Sequence, residues 1–259
     1  MRVGQQPGYV LHARAYRESS LLLECLTRDH GRVGLVARGV RRERPRWPRA
    51  LLQPLVPLQL DWAGRGELAT LAAVDAVAAP FALDAEGLLC AMYLGELVLR
   101  LLPRGDPHPR LFAAYTEALG RLAVGAGAAW SLRRFERDLL AEIGYALATE
   151  READSDLPLD PRAEYVYLAE LGPRRWRGEP AVLRLRGSAL LALHEDREPA
   201  PADLAALRRL MRHLIGQQLG GGSLRTWSLL GSALGRRDEP AAGASSAADP
   251  DPDPGPSPQ

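Results

Sequence analysis

The chain contains no lysine; all 33 of its basic residues are arginine. That absence excludes a Walker A phosphate loop and any lysine Schiff-base chemistry, both of which need the ε-amine. Phosphate contacts are not excluded, because the planar guanidinium fork binds two oxygens at once. Cysteine is scarce as well. Cys25 falls in a strand-like pattern and Cys90 in a helix-like one, and both are read as buried small hydrophobes rather than a disulfide. Together with five scattered histidines they match no zinc spacing, so neither a metal nor a cofactor is expected. Long apolar runs are missing too, which argues against a spanning helix. The opening MRVGQQPGYV lacks the apolar region of a secretory signal. A cytoplasmic protein that does not enter membranes is the default expectation.

Catalytic signatures are likewise missing. The sequence has no G-x-S-x-G elbow, no H-E-x-x-H and no G-x-G-x-x-G opening a helix. Gly220-Gly221-Gly222 has no strand before it and no lysine after it, so it reads as a helix stop. Glu136, Asp138 and Glu142 share a predicted helix, but Glu136 and Asp138 point to different faces and read as solvated. The histidines at 12, 30, 108, 194 and 213 have no evident nucleophile or carboxylate partner. A non-enzymatic protein is expected.

What is present divides into two periods. Residues 8–75 hold five strand-like stretches, GYVLHARAY, SLLLECLT, GRVGLVARGV, LLQPLVPLQLDW and GELATLAAV, separated by turn signals. Five strands in about 70 residues fit an OB-fold, a five-stranded Greek-key barrel. Pro54 and Pro57 mark an edge, a bulge or a late start of the fourth strand. After Pro80 the period becomes helical. Asp84 is a candidate cap for EGLLCAMYLGELVLRLL, and PRLFAAYTEALGRLA and WSLRRFERDLLAEIG supply two further helices. EYVYLAEL and PAVLRLR are short strands or extended connectors. Asp203 is expected to cap LAALRRLMRHLIGQQL, and LRTWSLLGSAL closes the folded part. The expected class is α+β, with an OB barrel at 1–79, a mainly helical domain at 80–237 and a disordered acidic Pro/Ala/Asp tail at 238–259.

Net charge is only +1, but its distribution is uneven. Residues 28–49 carry 8 arginines against 2 acids, whereas the segment from Asp238 carries 5 acids and no arginine. Arg32, Arg38, Arg41, Arg42, Arg44, Arg46 and Arg49 lie within 18 residues, with Trp47 among them. A basic connection beside a barrel face suits a nucleic-acid backbone. The plainer alternative is a solvated loop tip. Trp47 either stacks on a base or packs beneath the loop. Arg133, Arg134 and Arg137 flank the apolar stripe of the third helix, and Arg208, Arg209 and Arg212 do the same later. They are either ordinary solvated flanks or the rim of an apolar groove suited to an acidic peptide ending in a bulky apolar residue.

The order of residues resembles the bacterial RecO recombination mediator family. The resemblance rests on Val10-Leu11, Glu18-Ser19-Ser20-Leu21, Thr27, Gly31-Arg32-Val33, Ala37-Arg38-Gly39 with Arg41, Leu52-Gln53-Pro54-Leu55 and Gly66-Glu67-Leu68 with Leu71. It continues through Leu132-Arg133-Arg134-Phe135-Glu136 and Gly144-Tyr145, covering roughly residues 8–235. It implies DNA repair and homologous recombination, with binding of single- and double-stranded DNA and strand annealing. It also implies binding of the acidic C-terminal tail of single-strand-binding protein, and action with RecR to load RecA in the nucleoid. Arg38 and Arg41 match DNA-facing basic positions, and Arg133 and Arg134 match the helix near the tail pocket. An adaptor whose barrel binds proteins and not DNA is the alternative. Two departures stand out. Residues 145–180 lack the cysteines of zinc-bearing members, and 219–227 retains only Arg225 as a basic residue. The acidic tail either competes for the basic surfaces or is an inert solubilising extension.

Overall fold

The computed structural model describes residues 2–64, 66–180 and 183–234. The acidic tail expected from Asp238 lies outside the described residues.

The barrel contains β1 (Arg2–Tyr16), β2 (Ser20–Thr27), β3 (Gly31–Ala37), β4 (Leu58–Ala63) and β5 (Leu68–Ala76). It closes in the order β1-β2-β3-β5-β4, with β3 and β5 parallel and β1 returning against β4. This is the expected OB-fold. Register shifts in β1 at Val3/Gln6 and Val10/His12, and between Asp61 and Trp62 in β4, are the bulges that bend strands into closure. The interior is filled by Val10, Leu23, Cys25, Leu35, Leu60 and Leu71, among others. Burial pushes the Cys25 thiol up, so it stays protonated.

The fourth strand differs from its expected start at Leu51. Residues Arg49–Leu52 form a 3-10 turn and the strand begins at Leu58. Pro54 and Pro57 have no N–H to donate to a ladder. Leu55 between them adopts φ +73, which no strand continues.

Helices follow as α1 (Ala85–Leu101), α2 (Pro109–Ala123) and α3 (Ala128–Glu142). Asp84 caps α1, its Oδ1 accepting from the Gly87 N–H at 2.7 Å. Next come a small sheet, β6 (Glu164–Leu168), β7 (Gly172–Arg175) and β8 (Arg184–Arg186), in the order β7-β6-β8. The chain then forms α4 (Gly187–His194), α5 (Pro201–Gln218) and α6 (Arg225–Leu234). α5 starts at Pro201 with Ala200 before it, so Asp203 is not its cap. Asp203 lies in the first turn and accepts from the Ser188 hydroxyl at 2.6 Å, tying α4 to α5.

The barrel docks on the helices by its outer face. Tyr9, Leu11 and Leu26 belong to the helical core rather than the barrel core. The Tyr9 ring lies 5.5 Å from both Phe112 and Tyr115. Burying such a side chain contributes about 2 kcal/mol. β2 is therefore apolar on both faces, and its sequence SLLLECLT shows an unbroken run rather than alternation. At the rim of this junction the Gly105 N–H donates to the Arg32 carbonyl at 2.9 Å. Gly31, at φ +62, sits so close that a Cβ there would lie 1.8 Å from the Asp106 carbonyl oxygen.

Candidate nucleic-acid interface and apolar groove

The arginine-rich connection leaves the barrel at the end of β3. Arg38, Arg41, Arg42, Arg44, Arg46 and Arg49 are all exposed. Among the described residues, the side chains of Arg38, Arg42, Arg44 and Arg49 have no carboxylate partner. Two others are held in place. Arg46 donates to the Ala72 carbonyl at 2.9 Å, and Arg41 reaches the Arg17 carbonyl at 3.4 Å. The Arg41 N–H also donates to the Ser19 carbonyl at 3.0 Å, which fastens the loop to the β1–β2 turn. That contact adds Arg17, exposed and itself at φ +53, to the basic cluster. Sequence reading passed over Arg17 because 24 residues separate it from Arg41, and only barrel closure joins them.

Two members of the sequence cluster do something else. Trp47 is 8% exposed and packs in the barrel core, with the Arg46 guanidinium 4.6 Å from its ring centroid. Of its two readings the structure gives packing beneath the loop, and the ring is not presented to a base. Arg32 sits at the opposite end of β3, about 20 Å of strand away from the loop. Its Nη1 donates to the Leu99 carbonyl at 2.6 Å. Next to it, Arg104 pairs with Glu24, so this corner is a bracket between barrel and helices rather than part of the loop face.

A second feature lies among α3, α5 and α6. A groove of about 530 Å³ is lined by Leu132, Leu204, Trp227 and Leu230, with Arg133, Arg208 and Arg212 around it. Arg212 covers the Trp227 ring at 4.8 Å. The floor is a buried network in which Glu136 Oε1 accepts from the Tyr93 hydroxyl at 2.6 Å and from Arg133 Nη2 at 2.5 Å. Burial pushes the Glu136 carboxyl up, and Arg133 and the Tyr93 hydroxyl pull it back. Burial, with Glu136 close by, also raises the Tyr93 hydroxyl well above its ordinary value. The expectation that Glu136 is solvated is thus corrected, since it is buried at the base of the groove between Tyr93 and Arg133.

Of the three α3 arginines expected at this groove, only Arg133 lines it. Arg134 and Arg137 point to the α4–α5 connection, where both pair with Asp196. Arg137 also donates to the Leu193 carbonyl at 2.9 Å. Positions 133, 137 and 134 span about 100° of the helix, with Arg133 at the edge nearest the groove; pairing with Asp196 draws the other two toward the α4–α5 connection. The rim is completed by Arg208 and Arg212 on α5, four residues apart and therefore stacked on one side. The 219–227 segment positions α6: the Arg225 and Thr226 N–H groups donate to Glu96 at 2.8 and 2.9 Å. Burial opposes the Glu96 carboxylate, but these bonds, the Thr226 hydroxyl and nearby Arg100 outweigh it and hold its pKa below the ordinary value.

Two histidines that looked isolated in sequence have carboxylate neighbours. His108 lies 3.2 Å from Glu142 and 3.3 Å from Asp106, and His194 lies 3.1 Å from Glu150. No helix among the described residues is long and apolar enough to cross a membrane.

Two family models match successive parts of the chain. Residues 1–80 match the family described as recombination protein O N terminal, and residues 82–228 match recombination protein O C terminal. The DNA repair protein RecO of Stenotrophomonas maltophilia (strain K279a) is 47% identical over 240 residues, covering 92% of this chain and all of that protein. The DNA repair protein RecO of Xanthomonas oryzae pv. oryzae (strain PXO99A) is 44% identical over 241 residues, with the same coverage. The protein of that name from Nitrosococcus oceani is 46% identical over 231 residues, covering 89% of this chain and 94% of its own length. An OB barrel joined to a helical domain, matched by both family profiles and by full-length relatives, places the chain in the RecO family of DNA repair and recombination proteins.

Proposed function

We propose that this protein binds single- and double-stranded DNA through the 38–49 loop and anneals complementary strands without catalytic chemistry. The observation that carries the reading is the set of exposed guanidinium groups on Arg38, Arg42, Arg44 and Arg49 that no carboxylate neutralises among the described residues. Such groups release counterions from a phosphate backbone and lower the repulsion between two strands. The groove among α3, α5 and α6 takes the acidic C-terminal tail of single-strand-binding protein. Its apolar lining of Leu132, Leu204 and Leu230 accepts a bulky terminal side chain, and Arg208 and Arg212 meet the carboxylates. Acting with RecR, the protein then assists RecA in replacing single-strand-binding protein, in the cytoplasm at the nucleoid. Residues 1–79 serve as the DNA-binding unit and 80–237 as the recruiting unit.

The test is oligonucleotide binding across a salt series. Arg42→Glu with Arg44→Glu lowers the slope of log affinity against log salt by about 1.4, or roughly 0.7 per lost single-strand contact. An unchanged slope leaves the adaptor reading, in which the barrel binds protein only. Arg208→Ala weakens an acidic peptide ending in phenylalanine; unchanged peptide affinity removes the groove from the reading.

A further inference from the structure

The outer face of the small sheet carries a second concentration of arginine. In antiparallel register, Val166 stands between Arg174 and Arg184, and Glu164 stands opposite Arg186. Directly opposed residues share a face, so Arg174, Arg184 and Arg186 project together. The other face is the core side, where Tyr165, Tyr167 and Leu185 are buried. Residues 162–186 hold 6 arginines against 3 acids. Trp176 ends the arginine row, part-exposed, with its Nε1 fixed to the Glu179 carbonyl at 2.7 Å. The Arg184 guanidinium lies 4.3 Å from its ring centroid. Glu164 and Glu179 partly balance Arg184 and Arg174 at 3.5 and 3.0 Å. Arg177 and Arg186 are exposed and have no carboxylate partner among the described residues.

A sheet face with an aromatic ring, a guanidinium over it and exposed cations at the edge has the elements that hold an unpaired strand. The planar groups offer stacking to any base, and the cations follow its phosphates. We propose that the outer face of β6–β8 is a second nucleic-acid surface, which takes a single DNA strand across the Arg184–Trp176 stack. It rests on the reading that this protein binds DNA, and it supplies what one loop does not: a place for the second strand. One molecule then holds both partners of an annealing reaction.

The experiment uses the full chain with an iodouracil-substituted single strand, photo-crosslinked and mapped by mass spectrometry, alongside annealing of complementary oligonucleotides. The unmodified protein and the loop variant Arg42→Glu/Arg44→Glu both give an adduct at Trp176. The sheet variant Arg177→Glu/Arg186→Glu loses that adduct and anneals more slowly, while its thermal unfolding and its adducts in the 38–49 loop persist. Adducts confined to the loop, or a sheet variant that anneals at the original rate, overturn the proposal while leaving the loop reading intact. A protein that captures no strand in any form overturns both.

Discussion

Replacing Glu136 with leucine is the sharpest probe of the groove. Glu136 is 1% exposed and Arg133 5% exposed, and they meet through Arg133 Nη2 at 2.5 Å. Glu136→Leu removes the only carboxylate that Arg133 pairs with among the described residues and leaves the Tyr93 hydroxyl without its acceptor. A buried guanidinium stranded in this way costs about 3–5 kcal/mol. Arg133→Met combined with Glu136→Leu recovers most of that loss, because a well-packed apolar pair avoids the desolvation of both ions. Urea unfolding monitored by circular dichroism gives the three stabilities, and the cycle isolates the pair. A loss below about 1 kcal/mol for Glu136→Leu would refute the reasoning, since a charge that buried cannot lose its partner so cheaply. It would mean that the guanidinium swings into the open groove and finds water there.

Three further outcomes follow from the geometry. Gly31→Ala destabilises by more than about 2 kcal/mol in urea, because it combines left-handed strain with a backbone clash at Asp106; a change within 0.5 kcal/mol, the range of neutral surface substitutions, counts against the close approach. Trp47→Ala costs about 3–5 kcal/mol as a core cavity but leaves the affinity of the folded protein for single strands unchanged, whereas weaker binding at an unchanged salt slope with intact stability restores a base-stacking role. Glu96→Gln separates the N-terminus of α6 from its carboxylate. The folded pKa of Glu96 lies below the unfolded value of about 4.3, so its contribution is present above that pH and lost as pH falls through the folded pKa. The stability gap between the protein and Glu96→Gln therefore narrows on acidification, and a gap that widens reverses the sign of the argument.

The barrel was legible because turn signals bounded the first, second and fourth strand stretches, and α2 because Pro109 opens a long amphipathic period. It concealed α4, whose eight residues GSALLALH are apolar all round and show no helical stripe. It concealed β7 as well, where Gly172, Pro173 and two arginines resemble a loop. The basic segment was legible as a cluster but not as a surface. Arg32 and Arg38 are six residues apart and sit at opposite ends of one strand, so proximity in sequence misplaces one of them. Arg134 illustrates the converse: the period of a helix gives the angle between neighbours, but not which neighbour another helix will cover. Asp196, its partner, is 62 residues away.

The Tyr9 contact makes the barrel a poor candidate for a portable part. Its outer wall is also the lid of the helical core, with Tyr9, Leu11 and Leu26 plugged into a socket that includes Phe112 and Tyr115. A strand lying on the loop and a peptide seated in the groove would thus be carried by one continuous solid. Neither could turn without the other, and whatever the groove delivers would arrive at a fixed orientation to the DNA.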